Sequence, residues 1–427
     1  MLKGIANVFR IKELREKVLI TIGILLIYRF GAYLPVPGIP FRGMFNAYES
    51  SAAGGALAVL NLFSGGALSR VSVFALGIMP YITAQIIFQM MQTVIPSLQA
   101  LAEEGESGQR KITQYTRYLT IVLSLINAVG HLFLFKSSAY GLDFSGLPFP
   151  GWIEDIIIVG CLVTGAIIIM WLGEVITQRG IGNGMSLIIF CNIMSGLPIA
   201  LIQSVQGNEH GAIITAVTIL VILVIIPVIV FIERGQRRIP IQYAKRVVGR
   251  RIMGGQSTYL PVKVNTAGVV PIIFASAILY FPAQIAVFFP NVQRMQDFAN
   301  AISSGWMNWV LSVILIVFFA YFYTSMVFDP EQTADQLRKS GGFIPGVRPG
   351  AATAAYIKSV LDHITLPGAI FMAIIAVVPS IVFTLTNNSL IQSFGGTSIL
   401  IMVGVAMDTL SQLESQLKMH NYEGFFK

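Results

Sequence analysis

Residues 212–232 read AIITAVTILVILVIIPVIVFI, an apolar run without a charged side chain. A helix rises about 1.5 Å per residue, and the hydrocarbon core of a bilayer is about 30 Å thick, so about 20 apolar residues cross it. Backbone polar groups in lipid must be satisfied within the segment, which favours a helix over an open sheet. This stretch therefore predicts a transmembrane helix.

Nine further stretches have the same character, so the sequence predicts ten transmembrane helices. The predicted spans are 18–34, 73–95, 118–135, 153–173, 184–203, 212–232, 268–289, 307–328, 367–386 and 396–415. Composition agrees, because 55% of the 427 residues are hydrophobic and only 11% are charged, whereas soluble domains carry about 25% charged residues. A soluble fold could not bury this much apolar surface, and that class of protein is excluded.

The basic residues are unevenly divided between the two sides that ten spans define. Of the 28 Lys and Arg residues, 23 fall on the side of the two termini, four fall on the other side, and Arg29 lies in the first span. Short loops rich in Lys and Arg remain on the cytoplasmic side of a membrane. The distribution predicts an inner-membrane protein with both termini in the cytoplasm.

Three segments do not have the pattern of simple spans. Residues 54–72 are Gly-rich and mildly apolar, which fits either a short helix folded back into the protein or an outer surface loop. In 233–267 two runs of alternating apolar residues flank a glycine- and arginine-rich centre and predict a β-hairpin with a basic tip. Both this segment and 329–366 are predicted to be long cytoplasmic loops.

The loop 329–366 divides into a helical and an irregular part. Asp329 is a good helix N-cap and Pro330 suits the first helical position, so a short helix is expected over 330–340. Proline and glycine then recur through 341–350, which excludes regular structure and isolates Arg348 at the apex of a turn. Two basic protrusions on one membrane protein indicate a docking platform.

The sequence contains no pattern typical of catalysis. It has no glycine-rich phosphate loop ending in Lys-Ser or Lys-Thr, and its four histidines lack ligand spacing. Cys161 and Cys191 both fall inside spans, which argues against a disulfide framework. We therefore expect no catalytic residue, no metal and no cofactor.

Two other classes of membrane protein remain as alternatives. A secondary transporter of a small solute normally carries ionisable residues near mid-membrane, and the central parts of these spans have almost none. An enzyme of envelope synthesis would need clustered acidic residues on the cytoplasmic loops, which are absent. A passive, gated pore fits the apolar spans better than either alternative.

Seven strings of residues carry a resemblance to a known family. In chain order they are Phe63-Ser64-Gly65-Gly66-Ala67-Leu68-Ser69-Arg70, Ala75-Leu76-Gly77-Ile78-Met79-Pro80-Tyr81-Ile82, Glu104-Gly105-Glu106-Ser107-Gly108, Arg179-Gly180-Ile181-Gly182-Asn183-Gly184, Glu233-Arg234-Gly235-Gln236-Arg237-Arg238, Val347-Arg348-Pro349-Gly350 and Phe394-Gly395-Gly396-Thr397-Ser398. Together they cover nearly the whole chain, which resembles the SecY family of bacterial protein-translocation channels.

The resemblance implies an all-α membrane protein whose ten helices form two pseudo-symmetric five-helix halves, 1–205 and 206–427, around a central pore. The segment 58–72 would be a plug, with Phe63, Ser64, Gly65, Gly66, Leu68 and Arg70 as its marked residues. An apolar pore ring would consist of Ile78, Ile82, Met185, Ile189, Ile273 and Ile401. Most members have a β-branched aliphatic residue at the position of Met185, and methionine is more adaptable.

The resemblance also implies a lateral gate and a docking surface. The gate would lie between the second and third helices and the seventh and eighth, with Thr83 and Asn265 near the seam. Docking would involve five basic residues, Arg238, Lys245, Arg250, Arg251 and Arg348. The resemblance implies that the SecA ATPase or the ribosome docks there, and guanidinium groups suit both, since they pair with carboxylates and with phosphates.

The remaining implied partners belong to the same export system. They are the SecE and SecG subunits, signal sequences and nascent polypeptides, SecDF and YidC, and membrane lipids. Transport would be driven by SecA or the ribosome, in keeping with the absence of a nucleotide-binding motif in this chain.

Overall fold

The computed structural model describes residues 11–37, 61, 64–136, 150–206, 211–243, 246–248, 251–253, 257–288, 292–303, 305–386 and 396–423. Ten long helices lie in these ranges: α1 (Lys12–Gly31), α2 (Met79–Val94), α3 (Glu106–Lys136), α4 (Gly151–Arg179), α5 (Gly184–Gln206), α6 (Gly211–Glu233), α7 (Val270–Phe288), α8 (Trp306–Val327), α9 (Ala351–Thr386) and α10 (Gly396–Glu423). Each predicted span coincides with one of them. Three short helices are Pro96–Glu103, Gln293–Ser303 and Pro330–Lys339.

Length and apolarity single out most of these helices as membrane-crossing. Among the described residues, α3, α4, α6, α8, α9 and α10 each contain a stretch long and apolar enough to span a bilayer. Helices α5 and α7 contain shorter apolar stretches, 184–198 and 270–286. Both carry an internal proline, Pro198 and Pro282, which removes a backbone hydrogen bond from the helix.

Two helices begin earlier than the hydropathy pattern predicts. Helix α3 starts at Glu106, not at 118, and its first turns are polar and held by an Arg110–Glu106 ion pair of 2.7 Å. Helix α9 starts at Ala351 and continues through Pro367, so the second half of the predicted loop 329–366 is helical. The hydropathy pattern identifies only the apolar part of a helix. Where a helix continues into polar sequence outside the membrane, hydropathy does not locate its end.

The helices pack in the same order before and after the α5–α6 connection. Helices α2, α3, α4 and α5 contact one another consecutively, and so do α7, α8, α9 and α10. Helix α1 packs on α4, and α6 packs on α10. The two groups meet at two seams: α5 against α6 and α10, and α7 against α2 and α3.

The predicted β-hairpin is confirmed. Strand β1 (Gln236–Tyr243) pairs antiparallel with β4 (Ser257–Lys263), with Gln236 opposite Lys263. Strands β2 (Arg246–Val248) and β3 (Arg251–Met253) form a second antiparallel pair between them in the chain.

The short helix Pro330–Lys339 also begins as predicted, because the Asp329 side chain accepts from the backbone N–H of Glu331 at 2.9 Å. After it, strand β5 (Gly342–Phe343) pairs with β1.

A hydrophobic cluster joins the two predicted protrusions into one body. Its buried members come from β1, β4, the short helix, the turn after β5 and α9: Ile239, Ile241, Val262, Leu337, Ile344, Ile357 and Leu361. We call these elements the sheet unit. The sequence predicts two separate protrusions, and the structure makes them one, because neither segment could bury its own apolar face alone.

Candidate pore and gating segment

All six predicted pore-ring residues are buried in one continuous hydrophobic cluster. Ile78 and Ile82 lie at the start of α2, Ile273 on α7 and Ile401 on α10, with exposures of 1%, 3%, 7% and 0%. Met185 and Ile189 come from α5. The cluster therefore includes side chains from both groups of helices.

Methionine at position 185 packs toward α4. A Cβ atom added to Gly173 of α4 would collide with the Met185 Sδ atom. The longer side chain is thus accommodated by a glycine on the neighbouring helix, and Met185 is 7% exposed.

Charged side chains are nearly absent from the interior. Among the described residues, Glu154 near the start of α4 is the only Asp, Glu, Lys or Arg classed as buried. This fits the sequence pattern, which places few ionisable residues in the middle of the spans.

Within the segment predicted to be a plug, residues 64–72 are largely buried, and residues 64–71 form successive turns where a short helix was one expectation. Gly65 and Gly66 have φ angles of +65° and +82°, a left-handed conformation that an α-helix does not contain. Leu68 is 2% exposed. Phe63 lies outside the described residues.

Hydrogen bonds tie this segment to the chain that follows α1. The Val36 backbone N–H donates to the Val71 carbonyl, and the Val73 N–H donates to the Leu34 carbonyl, both at 2.9 Å. Within the segment, Ser64 Oγ accepts from the Leu68 N–H at 3.1 Å. We call residues 64–72 the gating segment.

The two residues predicted for the lateral gate each bond within their own group of helices. Thr83 Oγ1 on α2 donates to the Met79 carbonyl at 3.0 Å. Asn265 lies in the turn before α7, where its Nδ2 donates to Glu233 Oε2 at 2.9 Å and to the Gly268 carbonyl at 3.0 Å. The structure does not join the two side chains by a hydrogen bond.

Two of the predicted docking arginines are exposed on the sheet unit. Arg238 on β1 lies over the Tyr259 ring, with its Cζ 4.8 Å from the ring centre. Arg348 sits between Gly346 and Gly350, whose φ angles are +82° and +107°, and its carbonyl accepts from Thr353 Oγ1 at 2.9 Å. The turn therefore presents the Arg348 guanidinium to solvent from an ordered backbone.

The other three docking residues are less defined. Arg251 begins strand β3, where it pairs with Val248. Lys245 and Arg250 lie outside the described residues.

Several contacts near these sites have no signal in the sequence. Arg117 on α3 donates from Nε and Nη2 to the two carboxylate oxygens of Glu174 on α4, at 2.8 and 2.6 Å. Gly182, in the turn between α4 and α5, donates its backbone N–H to Gln412 Oε1 on α10 at 3.1 Å, so this hydrogen bond connects the two groups of helices. These pairs are 57 and 230 residues apart in the chain, and no local spacing connects them.

The Leu337→Ala variant is expected to loosen the sheet unit. Leu337 is 9% exposed, and truncating a buried leucine costs about 2–5 kcal/mol. Because the cluster holds both protrusions against α9, trypsin should cleave the basic loop of 233–267 faster in isolated membranes. The control is Tyr356→Ala, since Tyr356 on α9 is 40% exposed. Equal cleavage rates in wild type and Leu337→Ala would show that the protrusions are independent.

Comparisons with known proteins place this geometry in a family. The family model described as SecY matches residues 72–410. The protein translocase subunits SecY of Streptomyces coelicolor and Mycobacterium tuberculosis are each 44% identical, over 451 and 449 residues, with 100% of both chains covered.

Solved structures agree at the level of the fold. A protein-conducting channel superimposes with a TM-score of 0.62 at 17% identity, covering 94% of this chain and 92% of that one. A SecY structure, whose plug domain stabilises the closed state and maintains a membrane seal, matches over the same shares with a TM-score of 0.60. Sec61 of a canine ribosome–channel complex from the endoplasmic reticulum superimposes with a TM-score of 0.59.

Proposed function

This chain belongs to the SecY family of protein translocase subunits, and we propose that it forms the pore through which unfolded polypeptides cross a bacterial plasma membrane or leave sideways into lipid. It is a channel subunit and not an enzyme. The observation that supports the mechanism is that six apolar side chains, contributed by both groups of helices, are buried in one hydrophobic cluster.

A ring of flexible apolar side chains can seal a pore and still conduct a chain. A narrow apolar constriction loses its water and so blocks ions. Ile78, Ile82, Met185, Ile189, Ile273 and Ile401 come from α2, α5, α7 and α10, or from the residue just before α2. When these helices separate, the ring widens around a polypeptide and offers it no polar group to bind.

The gating segment would close the pore from the outer side. It contains Gly65, Gly66 and Leu68 and lies between α1 and α2 in the chain. Its backbone hydrogen bonds to the chain near Val36 and Leu34 hold it locally, while the buried side chain of Leu68 makes apolar contacts that can be exchanged for those of a passing substrate.

The seam of α7 against α2 and α3 would be the lateral gate. Thr83 and Asn265 bond within their own side, so parting this seam does not break their hydrogen bonds. The opposite seam, α5 against α6 and α10, would be the hinge between halves 1–205 and 206–427. A signal sequence would open the gate by placing its own apolar helix between α7 and α2.

The sheet unit would project into the cytoplasm, on the side of both termini, where the basic residues are concentrated. SecA would bind through carboxylates, and the ribosome through phosphates, at Arg238 and Arg348. Solved structures of this fold include a canine ribosome–channel complex and a yeast complex bound to the ribosome, which supports the ribosome as a partner. SecE and SecG would complete the channel in the membrane, and SecDF and YidC would act with it on emerging substrates.

Reconstituted translocation tests this function. The chain is purified with SecE, placed in vesicles and given SecA, ATP and a secretory precursor, and the protease-protected precursor is scored. Protection that requires both SecA and ATP is the expected result, and omission of ATP is the control. A folded complex that binds SecA but protects no precursor would contradict the proposal.

A further inference from the structure

Three elements meet at the backbone of Gly65. Arg29, in the last turn of α1, donates from Nη1 to the Gly65 carbonyl at 2.7 Å. Asn192 of α5 also lies against Gly65. Its side chain is 0% exposed, and its Oδ1 atom accepts a hydrogen bond from the Tyr28 hydroxyl at 2.7 Å. A Cβ atom added to Gly65 would lie 2.5 Å from Asn192 Oδ1 and 2.9 Å from Arg29 Nη1. The gating segment is therefore pressed between α1 and α5 at this residue.

A tyrosine ring links the same arginine to the other end of the segment. The Cζ atom of Arg29 lies 5.2 Å from the centre of the Tyr33 ring, and that of Arg70 lies 4.2 Å from it. Arg70 Nη1 is buried and has no hydrogen-bond partner among the described residues. The ring face attracts both cations, so Tyr33 holds together two arginines that would otherwise repel each other.

We propose that Arg29 is a positioning residue that holds the gating segment in the closed channel, through the Gly65 carbonyl directly and through Tyr33 and Arg70 indirectly. This inference rests on the proposed role of the segment as a plug. A guanidinium in a membrane span is costly unless it has polar partners, and here a carbonyl of the gating segment supplies one. Displacing the segment removes that partner, which favours return to the closed position.

Labelling of a buried cysteine tests the anchor. Cys161 and Cys191 are replaced by alanine, and Leu68, which is 2% exposed, is replaced by cysteine as the reporter. A membrane-impermeant maleimide is then added from the outer side of cells that produce the chain in its own complex. We expect Arg29→Ala to raise the labelling rate by about tenfold or more, since hydrogen bonds to charged groups are among the stronger ones.

Three further variants distinguish loss of the Arg29 anchor from a general destabilisation of the fold. Arg29→Lys keeps a charged donor and is expected to restore most of the slow labelling. Tyr33→Leu removes the ring, leaves the Arg29–Gly65 hydrogen bond, and should give an intermediate rate. Leu26→Ala, on the same helix at a residue 66% exposed, is the control and should label like wild type.

The outcomes distinguish this anchor from the channel itself. Slow labelling in Arg29→Ala, with translocation intact, would overturn the anchor and leave the proposed function standing. Equally fast labelling in Arg29→Ala and Arg29→Lys would also overturn it, because a charged donor would then have no role. Fast labelling in Arg29→Ala but not in Arg29→Lys or Leu26→Ala, accompanied by a higher resting ion conductance in Arg29→Ala, would establish it.

Discussion

Replacing Ile273 by asparagine is expected to raise the resting ion leak of the channel by about tenfold and to relax its selectivity for signal sequences. Ile273 on α7 is 7% exposed within the apolar cluster. An amide buried there without a hydrogen-bond partner costs about 1–3 kcal/mol, and about 1.4 kcal/mol changes an equilibrium tenfold. The closed state bears this cost, because an open, wetted pore solvates the amide.

Conductance across planar bilayers measures the leak, and export of a precursor with a defective signal sequence measures the selectivity. Ile78 directly precedes α2, which packs against α7, and it is 1% exposed. Ile78→Asn should therefore raise the leak and relax the selectivity in the same way. The matched control is Ile278→Asn, which introduces the same side chain on α7 at a residue 37% exposed. Unchanged conductance in both Ile78→Asn and Ile273→Asn would refute the apolar seal.

The Arg348→Glu variant is expected to abolish SecA-driven export while the complex still assembles. The side chain is exposed at the apex of an ordered turn and packs against nothing in the core, so the fold should survive. The reversed charge would face the carboxylates that a guanidinium binds, and buried like charges at an interface cost several kcal/mol. Precursor protection and SecA binding to the membranes are the two measurements.

Lys339→Glu is the control for this change. Lys339 ends the short helix of the sheet unit, is exposed, and changes the net charge by the same amount. It should reduce SecA binding only slightly, as expected for a charge at the rim of an interface. Normal export by Arg348→Glu would eliminate the docking role of this turn.

Features that depend on neighbours in the chain could be predicted from the sequence. Apolar runs such as 212–232 located all ten long helices, because crossing lipid requires about 20 apolar residues in succession. The alternation in 239–243 and 260–264 predicted the hairpin, and Asp329 followed by Pro330 predicted the start of the short helix. Each of these signals arises from a local backbone requirement.

The family resemblance supplied the pore-ring positions, which hydropathy could not. Ile188 on α5 is fully buried and Phe231 on α6 is 80% exposed, although both belong to strongly apolar helices. A side chain facing lipid and one facing the protein core satisfy the same preference for an apolar medium. The apolar pattern therefore does not distinguish the interior of a membrane protein from its surface.

Sequence alone was enough to predict the ten long helices of the described residues, the hairpin and the uneven distribution of basic residues among the loops. Tertiary structure decided that the two protrusions share one core, that residues 64–71 turn where a helix was one expectation, and that Arg29 meets the Gly65 carbonyl. These features depend on which helices become neighbours. Local periodicity specifies what a segment can form, whereas contacts between distant segments are set by how the whole set of helices packs.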